Sequence, residues 1–186
     1  MVTAYFVDSS ALVKRYVSEM GTTWLQSALD PQTHNPTIIA RATWVEVLSA
    51  FARRQREGML LPNQVAQAVR VFRYDLDTQY QVVELDRAIA DMAGQLVGRY
   101  PLRAYDAIQL ASALCLLPVF ARVSSTSLVF LSAVVLNLRS AVVRGWHRGT
   151  DRREPRPSLL RTQSPPATGW RALATLRAPL WAWAES

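Results

Sequence analysis

The chain is poor in the side chains that build disulfide and transition-metal chemistry: it holds one cysteine, Cys115, and two histidines, His34 and His147. A single cysteine excludes an internal disulfide framework and suits a reducing compartment. Its place in an apolar helical pattern reads as a buried structural thiol rather than a nucleophile. The histidines lie in unrelated contexts, His34 in a solvated Pro-Gln-Thr-His-Asn-Pro loop, which argues against a histidine-rich metal site. Long apolar runs are scarce as well. Ser127 to Leu138 reads as the longest, and it falls short of the roughly 20 residues that span a bilayer. A strand-like segment starts at Thr3 with no basic region before it, unlike a secretory leader. The expectation is a cytoplasmic protein with no membrane segment.

What is present is a hydrophobic body with a basic end. Half of the residues are hydrophobic and 19% are charged, the make-up of a globular chain. Its 186 residues suffice for one domain with a substantial core. The net charge of +7 looks like a nucleic-acid footprint, but its distribution weakens that inference. Residues 1–138 carry 12 Lys and Arg against 11 Asp and Glu, whereas residues 139–186 carry nine Arg against three acids. The excess belongs to the tail and says little of the body.

Ala4-Tyr5-Phe6-Val7 is a short continuous apolar run, the pattern of a strand buried on both faces. Asp8, Ser9 and Ser10 are helix-capping residue types, and a helix follows over about Ser10–Val17. Asp8 is then either a helix cap or a ligand at the C-terminal tip of a central strand, where open α/β sheets bind. Thr22 and Thr23 open a second helix, Pro31–Pro36 is a loop, and Thr37–Ala40 is a β-branched strand. From about Ala42 to Gly58, the residues Trp44, Val47, Leu48 and Phe51 make a core stripe. Glu46 lies about 200° around the axis from Trp44, so it faces either water or a cleft. Pro62 opens a fourth helix reaching to about Tyr80, Gln81–Leu85 reads as a strand, and Asp86 caps a fifth helix through about Tyr100. A sixth helix follows Pro101, with Asp106 in or near its first turn, where the helix dipole favours a carboxylate. Ser127–Leu131 is a further strand. Helices alternating with short apolar strands over 3–131 predict an α/β fold with a parallel sheet covered on both faces. Right-handed crossovers bring the C-terminal strand ends to one edge.

Asp8, Glu46 and Asp106 together suggest a site made only of carboxylates. Crowded carboxylates repel, and one would be forced to protonate unless a cation intervened. Hard oxygen ligands without His or Cys select Mg²⁺ or Mn²⁺ over zinc, ions suited to phosphate-ester chemistry. The segments Val7-Asp8-Ser9-Ser10-Ala11-Leu12-Val13-Lys14, Trp44-Val45-Glu46-Val47-Leu48-Ser49-Ala50 and Arg103-Ala104-Tyr105-Asp106-Ala107-Ile108-Gln109-Leu110-Ala111 resemble the three leading motifs of PIN-domain ribonucleases. The match is closest to the VapC-type toxins of bacterial toxin–antitoxin pairs, and it covers roughly residues 3–133. The resemblance implies a three-layer α/β/α fold with a central, mainly parallel sheet. It implies Mg²⁺-dependent endonucleolytic cleavage of RNA by a metal-activated water, homodimerisation, and inhibition by a small cognate antitoxin. Asp8 and Asp106 would be metal ligands, Glu46 would complete the acidic pocket, and Ser10 would hydrogen-bond within the site.

The pattern breaks after the last core strand. The family continues with a fourth acid in a stretch resembling Leu-Ser-Ala-Asp; this chain reads Leu131-Ser132-Ala133-Val134, with no acid before Asp151. The PIN-like domain is therefore placed at 1–138 and expected to be incomplete at its C-terminal end. Residues 139–186 hold four of the six Trp, five of the ten Pro and no Lys, and lack helix or strand periodicity before Trp170–Trp183. A GC-rich gene read out of frame gives such a composition, so a frameshift near 133–140 is the favoured reading. A basic, RNA-contacting extension is the alternative. An aberrant tail would leave a sheet edge or helix face uncovered. Besides a nuclease, the missing acid allows a catalytically impaired PIN-fold protein that binds RNA or antitoxin without cutting. A phosphatase built on Asp8 is disfavoured, since such enzymes carry a second acid two residues on, where Ser10 stands.

Overall fold

The computed structural model describes residues 2–122, 126–133 and 173–176. Val134, where the fourth acid is missing, lies outside them. So does the tail apart from 173–176, and with it the frameshift and RNA-contacting readings.

Period-two burial builds the centre of the molecule. Strands β1 (Val2–Val7), β2 (Thr37–Ala40), β3 (Tyr80–Val83), β4 (Thr126–Leu131) and β5 (Leu173–Leu176) form one sheet in the order β3-β2-β1-β4-β5. The first four strands are mutually parallel. Ala4, Phe6, Ile38, Ala40, Leu128 and Phe130 point to one face, and Val7, Ile39, Val129 and Leu131 to the other. Register follows from this alternation, since a one-residue slip would turn every side chain to the wrong layer. Phe6 pairs with Phe130, and their rings stack at 5.6 Å.

Four helices cover the first layer: α1 (Ser9–Tyr16), α2 (Thr22–Ala28), α3 (Ala42–Arg56) and α4 (Pro62–Thr78). They bury Leu12, Leu25, Val47, Phe51 and Phe72 against the sheet. Each such apolar side chain contributes about 1.5–3 kcal/mol. Helices α6 (Ala104–Cys115) and α7 (Leu117–Ala121) cover the opposite face through Ala113 and Leu117. Helix α5 (Arg87–Arg99) lies on α6 through Ile89, Ala93, Ala107 and Ala111. The expected three-layer α/β/α architecture with a mainly parallel sheet is what the chain adopts.

Three details differ from the sequence reading. Helix α4 ends at Thr78 and Tyr80 opens β3; Phe72, Leu76 and Tyr80 follow helical spacing, which carried the expected helix too far. By length and composition Ala104–Ala121 is apolar enough to cross a membrane, a run longer than Ser127–Leu138. Its apolarity has a local cause, because α6 lies between the sheet and α5 and needs apolar groups on both sides. Finally, Leu173–Leu176 pairs antiparallel with Leu128–Leu131, a strand that the sequence reading did not assign.

A buried polar network ties the first layer together far from the strand tips. Asp75, 4% exposed, accepts from Arg15 Nε at 3.0 Å and from the Tyr16 hydroxyl at 2.8 Å. The Tyr16 and Tyr80 hydroxyls are 2.6 Å apart. Burial pushes both phenols well above their ordinary range, so they stay neutral donors.

Candidate active site

The parallel sheet delivers its C-terminal strand tips to one edge, and the three acids arrive there from three separate segments. Asp8 follows β1 directly. Its N–H donates to Leu131 O at 2.9 Å, and its carbonyl accepts the first helical bonds, from Ala11 at 3.0 Å and Leu12 at 2.9 Å. Asp8 thus occupies the N-cap position of α1, yet its side chain makes no capping hydrogen bond. The carboxylate instead accepts from the hydroxyls of Ser9 at 3.2 Å, Ser10 at 2.7 Å and Ser132 at 2.9 Å. A side chain used only as a cap would bond the exposed N–H groups of the first turn. This one is turned away from them and held by hydroxyls while only 5% exposed.

Ser10 makes three contacts at the strand tips. Its Oγ donates to Asp8, lies 3.2 Å from the Ser132 Oγ, and accepts the Ala133 N–H at 3.1 Å. It therefore joins the tip of β4 to the start of α1. Ser132 was not singled out from sequence, although it stands in the Leu-Ser-Ala stretch at a strand tip, the one signal that marks it.

Glu46 faces a cleft rather than bulk water. Its Oε2 accepts from Gln109 Nε2 at 2.6 Å, and the same Nε2 donates to Thr43 Oγ1 at 2.8 Å. Gln109 is 1% exposed and bridges α6 to α3; its Oε1 has no hydrogen-bond partner among the described residues. Gln109 falls inside the third motif segment but was not singled out there, since no role attached to it apart from its place on an apolar helix. Asp106 sits in the first turn of α6 as expected. Asp8, Ser10, Lys14, Glu46, Arg103 and Asp106 all line one open cleft of about 560 Å³. Cys115 lies elsewhere, with Sγ 3.9 Å from Met92 Sδ, in keeping with a structural thiol.

The acids perturb one another. Burial raises the Glu46 carboxyl above its ordinary value, and the charges of Asp8 and Asp106 add to this against the hydrogen bond from Gln109. Asp106 is raised by burial first and by the charge of Asp8 second. A folded-state value above the unfolded one means that the folded chain holds these protons more tightly. The associated stability is present below the ordinary carboxylate range and is lost as pH rises through the raised values. At neutral pH both carboxylates therefore work against the fold. Glu46→Gln keeps an acceptor for Gln109 and removes the charge. We expect its melting temperature at pH 7 to exceed the parent's by about 1–2 °C, a small effect because both groups are partly solvated. The gap should close toward pH 4. Thermal melts at the two pH values check this.

Chemically the cleft offers anionic oxygen donors, with no imidazole or thiolate among the acids. That set fits a hard divalent cation, whose charge would relieve the repulsion just described. Among the described residues no three acids, histidines or cysteines are grouped closely enough to hold an ion by themselves. Mg²⁺ does not require such a cage, since it is usually held by one or two carboxylates with waters and substrate phosphate supplying the rest.

Comparison with known proteins assigns the chain to a family. The family model for the PIN domain matches residues 5–116, a span that contains Asp8, Glu46 and Asp106. Ribonuclease VapC45 of Mycobacterium tuberculosis (strain CDC 1551 / Oshkosh) is 35% identical over 114 residues, covering 61% of this chain and 76% of the relative. Ribonuclease VapC49 of strain ATCC 25618 / H37Rv shows the same identity and coverage. Two solved structures overlap more loosely. Mycobacterium tuberculosis VapC20, described as a sarcin-ricin loop cleaving toxin, gives a TM-score of 0.47 at 15% identity over 60% of this chain and 82% of that one. A toxin–antitoxin complex from Klebsiella pneumoniae gives 0.45 at 20% identity over 73% and 89%. With a PIN-domain match over residues 5–116 and relatives 35% identical over 114 residues, this protein belongs to the PIN-domain family and is a relative of the VapC ribonucleases.

Proposed function

We propose that the chain is a Mg²⁺-dependent endoribonuclease, the toxin component of a toxin–antitoxin pair, hydrolysing RNA phosphodiester bonds. The observation that carries the reading is that Asp8, Glu46 and Asp106, from three distant segments, line one cleft at the strand tips. Asp8 and Asp106 would hold the cation, with Glu46 completing the acidic wall. When bound, Mg²⁺, or Mn²⁺ in its place, activates water and neutralises charge developing on phosphate oxygens. The chain's own part is positional. Three serine hydroxyls fix the Asp8 carboxylate, so little reorganisation is needed when charge builds up beside it. Gln109 Nε2 anchors Glu46 Oε2 and thereby keeps that carboxylate on the cleft wall. Tyr105 lines the same cleft and is about half exposed, a ring on which a base can stack. The relationship to VapC ribonucleases supports RNA as substrate and a small cognate antitoxin as partner; a homodimer and a cytoplasmic setting are part of the same proposal.

Titration with Mg²⁺ followed by thermal shift tests the metal requirement directly. At ten to a hundred times its dissociation constant the ion should stabilise the fold by about 1.4–2.7 kcal/mol, a rise of several degrees. A second reading, an impaired PIN-fold protein that binds RNA or antitoxin without cutting, draws support from the missing fourth acid, since the sequence has none between Leu131 and Asp151. It predicts no Mg²⁺-dependent rise in melting temperature, and no cleavage of RNA.

A further inference from the structure

The cleft has a cationic end that the reading above leaves without a task. Lys14 stands one turn beyond Ser10 on α1, and Arg54 two turns beyond Glu46 on α3; both line the cleft, and so does Glu19. Glu19 Oε2 receives Lys14 Nζ at 3.2 Å. Glu19 Oε1 receives Arg54 Nε at 3.1 Å and Arg54 Nη2 as well. Lys14 Nζ also reaches Met20 O at 3.3 Å, and Arg54 Nη1 reaches Ala50 O at 3.4 Å. The three side chains keep between 17% and 29% of their surface in solvent. The helical rise from Glu46 to Arg54 is about 12 Å, so Arg54 starts two turns along α3 from the acid on that helix. The cleft thus contains an anion held by two cations, and that anion is the chain's own carboxylate.

We propose that Lys14 and Arg54 form a phosphate site beside the acids, and that Glu19 occupies it as an internal competitor which an RNA phosphate displaces. The proposal rests on the ribonuclease reading and adds to it a substrate-holding site and a built-in brake on binding. An arginine fork that already accommodates a carboxylate suits phosphate oxygens equally well. Because the pair is partly solvated, exchanging one anion for another does not strand a buried charge. A phosphate, unlike Glu19, also belongs to a strand that can continue to the acids along the same cleft. The competing explanation is that Glu19 only pins the segment after α1 to α3. On that view its neutral isostere loses stability and leaves RNA affinity alone.

The test measures binding of a fluorescent, uncleavable 2′-O-methyl oligoribonucleotide to the full chain by anisotropy, in EDTA, across a range of NaCl concentrations. Glu19→Gln should bind about 3- to 10-fold tighter at low salt. Arg54→Gln and Lys14→Gln should each bind several-fold more weakly, with the slope of log K against log salt smaller by about 0.7. Glu19→Gln should give a smaller gain in the Arg54→Gln background, where only Lys14 is left to be freed, and none when Lys14→Gln is added as well. Arg54→Lys, which keeps the charge, should recover most of the slope even where Arg54→Gln melts early. Parent-like affinity and slope in Arg54→Gln and Lys14→Gln, with no tightening in Glu19→Gln, would overturn the proposal and leave the ribonuclease reading standing. Failure of the parent protein to bind RNA at any salt would overturn both.

Discussion

Replacing Asp75 with alanine will destabilise the fold by about 3–5 kcal/mol, the largest stability loss we expect from a single polar substitution in this chain. Asp75 is 4% exposed and sits on α4. Its Oδ2 accepts from Arg15 Nε and from the Tyr16 hydroxyl, and its Oδ1 accepts from Gln79 Nε2 at 3.0 Å. Arg15 also donates from Nη1 to Leu29 O at 3.2 Å and from Nη2 to Gln79 Oε1 at 3.2 Å. Removing the carboxylate leaves a guanidinium whose side chain is 14% exposed without its counter-charge, and takes an acceptor from Tyr16. Each of these losses carries a desolvation cost. Against a total stability of about 5–15 kcal/mol for a domain, the variant should be marginal at 37 °C. Urea unfolding of the parent and variant measures the difference. The double variant Arg15→Leu/Asp75→Leu should be less destabilised than Asp75→Ala, since it removes both charges together. Equal or greater loss in the double variant would show that packing, rather than the stranded charge, dominates.

Asp8→Asn will have the opposite profile, with a large loss of activity and little loss of stability. Asparagine is nearly isosteric, and the hydroxyls of Ser9, Ser10 and Ser132 can each rotate to donate or accept. The backbone bonds of residue 8 to Leu131, Ala11 and Leu12 are unaffected. What disappears is the negative charge that acts on both Glu46 and Asp106. Loss of about 3–4 kcal/mol of transition-state stabilisation corresponds to a fall in cleavage rate of about 10²- to 10³-fold. Glu46 and Asp106, both raised in part by the charge of Asp8, should titrate closer to their ordinary range. A variant that melts at or slightly above the parent temperature while losing cleavage is the expected pair of results.

The layers and the three acids were legible in the sequence because they rest on short-range signals. Alternating burial of Ala4, Phe6, Leu128 and Phe130 follows from strand geometry, and the stripe through Val47 and Phe51 follows from helical periodicity. Asp8, Glu46 and Asp106 stood out because motif order and flanking residues agreed at all three, where any one had an ordinary alternative. What could not be read was pairing across long stretches of chain. Gln109 reaches Glu46 over 63 residues, Ser132 reaches Asp8 over 124, and Asp75 reaches Arg15 over 60. On their own elements these side chains look like unremarkable polar positions; only the sheet order brings them together. Tyr80 shows the converse failure, where a local period ran on past the end of its helix until tertiary burial placed the residue in β3.

Cleavage of a mixed RNA by the parent protein and by Asp8→Asn, side by side in Mg²⁺ and in EDTA, tests the central claim most directly. The account predicts cleavage by the parent in Mg²⁺ alone, with at most about a hundredth of that rate for the variant. Equal cleavage by the two proteins in Mg²⁺, or cleavage by the parent undiminished in EDTA, would contradict it.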